Sequence, residues 1–420
     1  MDLQTSQLLE GVRVVDLSRG LAGPFCTRLM ADLGAEVIKV EPPGGDQTRT
    51  FERIRDKRSG YFIQQNVSKR GIAIDLRKPE GKQVVLDLIS IADVVVENYR
   101  PGVMARLGID YDFLCKINPT IVMCSISAFG QYGPYSQLRG GDYNIQALSG
   151  MMWINGEKDG PPMWTGNAYC DTAAGNHAFG GIVAALFRRL QVGKSEHIDI
   201  SLLDCAIYQQ EQVFQQYLVS EGEVEPHRMG SSRPENVPVN VYHGKDAYLV
   251  LAAMSDTAWD LLVSTMELPD LGKDKRFSSR SLRVENRFEL DKVIEEWVQS
   301  FESTDQVVDL LESKGLVCGR VRSIPEVLND PHIAEREMIL YVTDPGIGKE
   351  IPVLNSPLRF HDTSSRLRGP APLFGQHTAE VLGGLLGYNG PRILNLIGEG
   401  IAQMEESVVQ ETLQALDDAG

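Results

Sequence analysis

The run Gly160-Pro161-Pro162-Met163-Trp164-Thr165-Gly166-Asn167-Ala168-Tyr169-Cys170-Asp171-Thr172-Ala173-Ala174-Gly175 sets one carboxylate, Asp171, between a Gly/Pro-rich loop and a small-residue stretch that predicts a helix over 173–190. A helix N-terminus carries unpaired N–H groups and a partial positive charge, which keep a nearby carboxylate ionised. An ionised carboxylate in a tight loop is a candidate nucleophile toward an activated acyl group. The same aspartate also fits an ordinary N-cap, a preferred place for Asp. The segment alone leaves both readings open.

The elements that would position Asp171 alternate between short apolar runs and helical patterns. A strand is expected over 12–17, ending near Asp16. Gly20-Leu21-Ala22-Gly23-Pro24 then opens a helix, with Phe25, Leu29, Met30 and Leu33 on one face. Strands follow over 37–40, 72–75, 94–96, 121–126 and 197–202, with helices over 79–92, 103–107 and 204–219 between or after them. This is the pattern of an α/β fold with a parallel sheet. The polar, Gly/Pro/Ser-rich stretch 221–238 reads as a hinge. Beyond it, strands at 239–242 and 248–252 and helices at 256–266, 287–301 and 304–314 suggest a smaller α+β domain. The expected division is 1–220 for the large domain, 221–330 for the small one, and 331–420 as a return segment completing the large one. That return segment reads as irregular and Pro-rich from Pro325, with a helix over 378–386.

Composition narrows the function classes. The chain of 420 residues is 42% hydrophobic and 23% charged, as soluble globular proteins are. Acidic residues outnumber basic ones 57 to 41, a net charge of −16, which argues against nucleic acid or an anionic membrane as partner. Six cysteines without a CxxC pair read as reduced thiols in the cytoplasm. Seven histidines form neither HxH nor HExxH, so no metal site is expected. Residues 1–11 have neither the pattern of a signal peptide nor that of a transit peptide. No run of 18 apolar residues exists to cross a membrane. The commonest uses of a doubly wound sheet are also missing. No GxGxxG follows a strand, and no GxSxG elbow occurs. Gly193-Lys194-Ser195 lacks the earlier P-loop glycine, because Arg188 stands there.

Seven segments, taken together and in order, resemble the class III CoA-transferase family, the CaiB/BaiF group that includes formyl-CoA transferase, carnitine CoA-transferase and α-methylacyl-CoA racemase. They are Leu21-Ala22-Gly23-Pro24, the stretch from Leu33 to Glu41, the stretch from Asp75 to Gly81, Val96-Glu97-Asn98-Tyr99-Arg100-Pro101-Gly102, the stretch from Ser127 to Pro134, the Asp171 segment, and Gly375-Gln376-His377-Thr378. The likeness spans residues 9–386. It implies a Rossmann-like large domain built from both chain ends, a smaller inserted α+β domain, and a homodimer whose chains interlock like linked rings. It implies that Asp171 attacks an acyl-CoA thioester, passing through an aspartyl anhydride and an aspartyl-CoA thioester. It places CoA contacts on Arg77, Asn98, Tyr99, Arg106 and Arg139. CoA and acyl-CoA would then be substrates, with no tightly bound cofactor and with carboxylates as the second substrate. The pattern sits nearest to dicarboxylate (succinyl-CoA-type) transferases.

The chain departs from the family pattern at four places. Leu21 replaces the glutamine of oxalate-type enzymes, and Pro42 replaces a nucleotide-side arginine. Gly230-Ser231-Ser232-Arg233-Pro234 keeps only Gly230 of a multi-glycine active-site loop. The triplet Gly140-Gly141-Asp142 carries Asp142 but no histidine where the racemase branch has Gly-His-Asp, so racemisation lacks its second acid/base. Transfer of CoA between carboxylic acids is therefore expected. The alternatives are a racemase or epimerase, an intramolecular CoA-transfer isomerase of the same family, or a non-catalytic CoA-binding subunit.

Arg233 reads either as an ordinary exposed loop arginine or as the reader of a second acceptor carboxylate through a bidentate pair. On the second reading Arg233→Ala raises KM for a dicarboxylate acceptor about ten- to a hundredfold, the worth of one charge-assisted pair. A monocarboxylate of similar length is affected little. Equal small effects on both acceptors in steady-state kinetics would remove Arg233 from that role.

Overall fold

Parallel strands covered by helices on both faces lose the alternation of half-exposed strands and become short apolar runs. The computed structural model, which describes residues 7–51, 54–56, 58–233, 235–363 and 367–418, follows that logic. Its first strands are β1 (Arg13–Asp16), β2 (Glu36–Glu41), β3 (Arg70–Ala73), β4 (Val94–Glu97), β5 (Val122–Ser127) and β6 (Glu196–Ser201). Among the described residues they make a six-stranded sheet, parallel throughout, in the order β3-β2-β1-β4-β5-β6. This is the doubly wound order, and its reversal between β1 and β4 opens a crevice at the carboxyl ends of the strands. Central β4 and β5 are buried at every residue, whereas edge strand β6 is only partly so.

The helices of this part include α1 (Ala22–Asp32), α2 (Gly60–Asn66), α3 (Pro79–Ser90), α4 (Val103–Leu107), α5 (Asp142–Leu148) and α6 (Tyr169–Val192). α3 starts on Pro79, whose fixed φ and missing N–H suit a first turn, and buries Val84, Val85, Leu88 and Ile89 on one face. α6 begins four residues earlier than its composition suggests, so Asp171 lies inside the first turn rather than ahead of it. α6 packs closely on α1 at Gly175, where a Cβ would stand 2.8 Å from the Ala22 carbonyl oxygen and 2.8 Å from the Phe25 ring.

The described residues divide into two compact units, one from 1–149, 166–214 and 334–420, the other from 150–165 and 215–333. In the second unit β7 (Val239–His243), β8 (Tyr248–Ala252) and β9 (Val317–Arg320) form an antiparallel sheet in the order β9-β8-β7. β8 alternates, with Leu249 and Leu251 inward and Tyr248 and Val250 outward. The inward side chains share a core with Leu262 of α7 (Asp256–Met266), Ile294 of α8 (Arg287–Gln299) and Leu311 of α9 (Thr304–Ser313). Ser255 and Ser303 cap α7 and α9 by accepting the N–H groups of Ala258 and Gln306. Residues 150–165, expected in the large domain, belong to this unit because hydrogen bonds tie them there. Trp153 Nε1 donates to the Pro226 carbonyl at 3.0 Å, Arg228 Nη1 to the Trp153 carbonyl at 2.9 Å, and the Gly230 N–H to Gly156 at 3.0 Å.

The return segment is more regular than its prolines suggest. β10 (Ile339–Thr343) and β11 (Glu350–Leu354) form an antiparallel hairpin in which Pro352 faces Tyr341. Arg58 grips its turn through Asp344, at 2.9–3.0 Å. Further on, the chain covers the open edge of β3. His377, just before α10 (Thr378–Gly384), accepts the Gly71 N–H on Nδ1 at 3.0 Å and donates its own N–H to the Gly71 carbonyl at 2.8 Å. Gln403 then donates to Ala73, and Asp75 to Ile401. This explains why β3 ends at Ala73 and not at residue 75, because Ile74 instead bridges antiparallel to Ala402. Among the described residues no helix is long and apolar enough to cross a membrane.

The Gly175 contact can be measured. Gly175→Ala forces α1 and α6 apart and should cost about 1–3 kcal/mol in urea unfolding, the usual penalty of overpacking. Gly180→Ala, on the same helix with open space around it, should instead stabilise by about 0.5–1 kcal/mol. Equal effects at the two positions would deny the close approach.

Candidate active site

The crevice at the carboxyl edge is shaped by buried charges. Asp16, at the end of β1, accepts from Lys69 Nζ at 3.1 Å, Thr27 Oγ1 at 2.6 Å and the Ser18 N–H at 3.0 Å. Burial pushes its carboxyl up, but Lys69, Lys39 and the Ser18 and Thr27 hydroxyls outweigh burial and lower it to about 2. Lys69 also donates to the Pro24 carbonyl, Thr27 and Asn66, and burial lowers its ammonium to about 8. Lys39 bridges the Ser18 carbonyl and Asp46, each at 3.0 Å, and Asp46 in turn accepts from the Gly20 N–H. The loop from Ser18 to Leu21 is therefore clamped from below. Gly23 lets α1 start against that loop, since a Cβ there would stand 2.2 Å from the Ser18 Cβ.

Asn98 clamps the same loop from the side. Its Nδ2 donates to the Arg19 carbonyl at 2.6 Å, and its Oδ1 accepts the Arg19 N–H at 2.8 Å. The Arg19 guanidinium lies 5.3 Å from the Tyr99 ring centre. The structure thus brings together Leu21, Asn98 and Tyr99. Arg106 belongs to the same turn, with an exposed side chain folded back over Gly102. Arg77 is 77% exposed and holds Asp75 through two bonds of 2.8 Å. Arg139 is exposed in the loop ahead of α5.

Asp171 and Gly175 are one turn apart on the same face of α6, and Gly175 touches Ala22. Asp171 does not cap its helix, and the N-cap residue, Ala168, makes no side-chain cap bond. The capping group comes from α5. Asp142 Oδ1 accepts the N–H groups of Cys170 at 2.6 Å and Asp171 at 3.1 Å. Its Oδ2 accepts from Gln146 Nε2 at 2.7 Å, and Gln146 also reaches the Asn167 carbonyl at 2.9 Å. The N–H groups of Ala168 and Tyr169 have acceptors on Asn167. The helix end that would have stabilised an ionised Asp171 is thus already occupied by another carboxylate. Burial first, and Asp142 second, push the Asp171 carboxyl up to about 7.

Two participants lie outside the sequence-based set. Tyr61, on α2, lies within electrostatic reach of the pair. Burial, then Asp171, Asp142 and Asp46, push its phenol up to about 12, so at neutral pH it is a donor. No motif marks Tyr61. Gln146 was findable from its i, i+4 spacing to Asp142. Gly141 carries no side chain beside Asp142, and there is open space where a Cβ would be. Gly230 and Arg233 belong to the second unit. Gly230 is left-handed (φ 64°), and exposed Arg233 donates its backbone N–H to Val239 at 3.1 Å. Pro234, the last residue of that expected loop, lies outside the described residues. Among the described residues no His, Cys, Asp and Glu cluster could hold a metal ion.

Comparison with known proteins gives three findings. The family model for CoA-transferase family III matches residues 9–378. Among curated proteins, succinyl-CoA:glutarate CoA-transferase of Mus musculus is 36% identical over 408 residues, covering 97% of this chain and 93% of its own length. Succinyl-CoA:mesaconate CoA-transferase of Haloarcula hispanica is 36% identical over 385 residues, covering 89% and 95%. Among solved structures, a CaiB/BaiF family protein from Brucella suis superposes with a TM-score of 0.81 at 34% identity, covering 91% of this chain and 100% of its own.

The two facing carboxylates make a pH prediction. On the expectation that Asp171 is the nucleophile, only its ionised form attacks, so the rate should fall as pH drops through about 7. Asp142→Asn keeps an acceptor for the two N–H groups and removes a negative charge. The acid limb should then move to lower pH by roughly half to one unit, remaining above the ordinary carboxylate range because burial is the larger cause. An unmoved limb in the pH profile of kcat/KM would contradict this coupling.

Proposed function

The chain belongs to CoA-transferase family III, and from that premise we propose that it moves CoA from an acyl-CoA donor to a dicarboxylic acid acceptor through covalent intermediates on Asp171. It is an enzyme of the class III CoA-transferase type. The dicarboxylate reading draws on relatives whose names carry succinyl-CoA with glutarate or mesaconate. The observation that carries the mechanism is the half-buried Asp171 beside Asp142 at an already capped helix end.

In the proposed cycle, Asp171 adds to the thioester carbonyl of the donor and expels CoA thiolate, leaving an aspartyl mixed anhydride. The thiolate attacks the aspartyl carbonyl, releasing the donor acid and forming an aspartyl-CoA thioester. The acceptor carboxylate attacks that thioester to form a second anhydride and thiolate. The thiolate takes the new acyl group, and Asp171 returns as a carboxylate. Each acylation turns a half-buried anion beside Asp142 into a neutral group, so repulsion in the free enzyme favours the first step. Tyr61 is placed to donate to charge developing near the pair. The N–H groups of Cys170 and Asp171 already serve Asp142, so oxyanion donors must come from elsewhere. Asn98, Tyr99, Arg77, Arg106 and Arg139 would meet CoA, their cations suiting its phosphates.

We also propose the Rossmann-like large domain with an inserted smaller one, and an interlocked homodimer. Support for the dimer comes from α6, where Phe187 is 63% and Leu190 81% exposed, a burden of bare apolar surface that calls for a partner. Six free cysteines suit a reducing compartment such as the cytoplasm.

Asp171→Ala should abolish CoA exchange while the far-UV spectrum and melting behaviour stay native. In the wild type, rapid quenching with succinyl-CoA and peptide mass spectrometry should find CoA on the Asp171 peptide. Turnover by folded Asp171→Ala, or label on another residue, would refute the covalent role.

A further inference from the structure

The Asn98–Tyr99 turn rests on a carboxyl group that the proposed cycle does not use. Glu97, the last residue of β4, is 2% exposed and forms no ion pair among the described residues. Its Oε2 accepts the Tyr99 N–H at 2.8 Å. Ser125, its register neighbour on β5, favours the ionised form of Glu97, and Ser125 Oγ lies 2.9 Å from His197 Nε2 on β6. The three side chains form a line across three strands. The His197 ring is held in place by stacking on Tyr111, with centroids 4.9 Å apart. The charged and titratable groups facing Glu97 are few. Asp199 on β6 is itself engaged with the Gln131 N–H, and Cys124 on β5 is a buried thiol pushed well up. Above, the Tyr99 phenol and Arg19 lie toward the crevice, with Asp16 and Asp46 beyond, each committed to a lysine.

A serine between an acid and an imidazole has one proton to give, so the line has two directions. With Glu97 protonated, its O–H donates to Ser125, which donates to His197 Nε2, and the ring proton sits on Nδ1. When Glu97 loses its proton to solvent, His197 carries its proton on Nε2 and donates to Ser125, which donates to the carboxylate. Both states keep every hydrogen bond, so the switch needs no movement of the backbone. The charge beneath the turn is what changes. Burial, reinforced by Asp199 and opposed by Ser125 and the Tyr99 N–H, pushes the Glu97 carboxyl up to about 7, so both states exist near neutrality.

We propose that Glu97 is a positioning residue for CoA binding, supporting the Asn98–Tyr99 turn as a neutral acid and weakening the hold on CoA phosphates when it ionises. This rests on the assignment of that turn to CoA in the proposed function.

The test uses CoA itself and the full chain in an Asp171→Ala background, so that the nucleophile's own titration is absent. Calorimetric binding at pH 6 and pH 8 should show affinity falling about fivefold more in Asp171→Ala than in Asp171→Ala/Glu97→Gln, a coupling at the lower end of those common between sites. Comparing the two cancels the titration of CoA's own phosphate. In parallel, ¹⁵N-histidine spectra of the wild type should show the His197 Nδ1 and Nε2 shifts exchanging over the same interval, and this exchange should be absent in Glu97→Gln. Should Glu97→Gln fail to fold, the wild-type spectra decide, because a single His197 tautomer from pH 6 to 8 overturns the proposal. Equal pH slopes in the two binding series overturn it as well, leaving the CoA assignment intact. No CoA binding at either pH overturns the assignment of the turn and this proposal with it.

Discussion

The buried pairing of Asp16 with Lys69 is the constraint on which the site is built. Both groups are shut away from water, and each charge so placed costs several kcal/mol before its partner and hydrogen bonds offset it. That cost is met only when β1, the first turn of α1 and the segment entering β3 converge, because Lys69 bonds to all of them. Lys39 and Asp46 repeat the device one strand away. Together they freeze the Ser18–Leu21 loop, against which Asn98, Tyr99 and the start of α1 are placed. An apolar core could hold these elements near one another. Directional bonds to an ammonium group fix where each backbone atom lies.

On that platform the chemistry depends on a contest for one helix end. Four N–H groups at the start of a helix favour an anion. Asp142 takes two of them, and Asp171 is left half-buried beside a like charge. The first carboxylate gains what the second lacks, and the second is held above the usual carboxylate range. In the proposed cycle, acylation of Asp171 relieves that repulsion.

Much of the scaffold was legible in the chain. Val14-Val15, Val37-Ile38 and Val94-Val95-Val96 are strands because they are short, β-branched and bounded by turns, and Pro79 starts its helix for the reason proline usually does. Asp171 stood out from its surroundings and from the family pattern. Other features were hidden because their causes are remote in sequence. α6 starts at Tyr169 only because Asp142 waits 29 residues upstream to receive its N–H groups. Residues 150–165 group with the second unit through bonds to Pro226, Arg228 and Gly230. The β10–β11 hairpin tolerates Pro352 because a two-stranded ribbon has outward positions that need no donor. Nothing in the sequence marks the environment of Glu97, which the structure buries opposite Ser125.

The seam between His377 and Gly71 has a consequence for synthesis. The outer edge of β3 is sealed by residues more than 300 positions later in the chain. At ordinary translation speeds, that edge stays open for on the order of tens of seconds after it leaves the ribosome. An unpaired, apolar strand edge is a template for pairing with other chains. The nascent large unit therefore passes through a long interval in which chaperone shielding, rather than its own structure, keeps it from aggregating. Truncations that stop short of His377 would make that interval permanent.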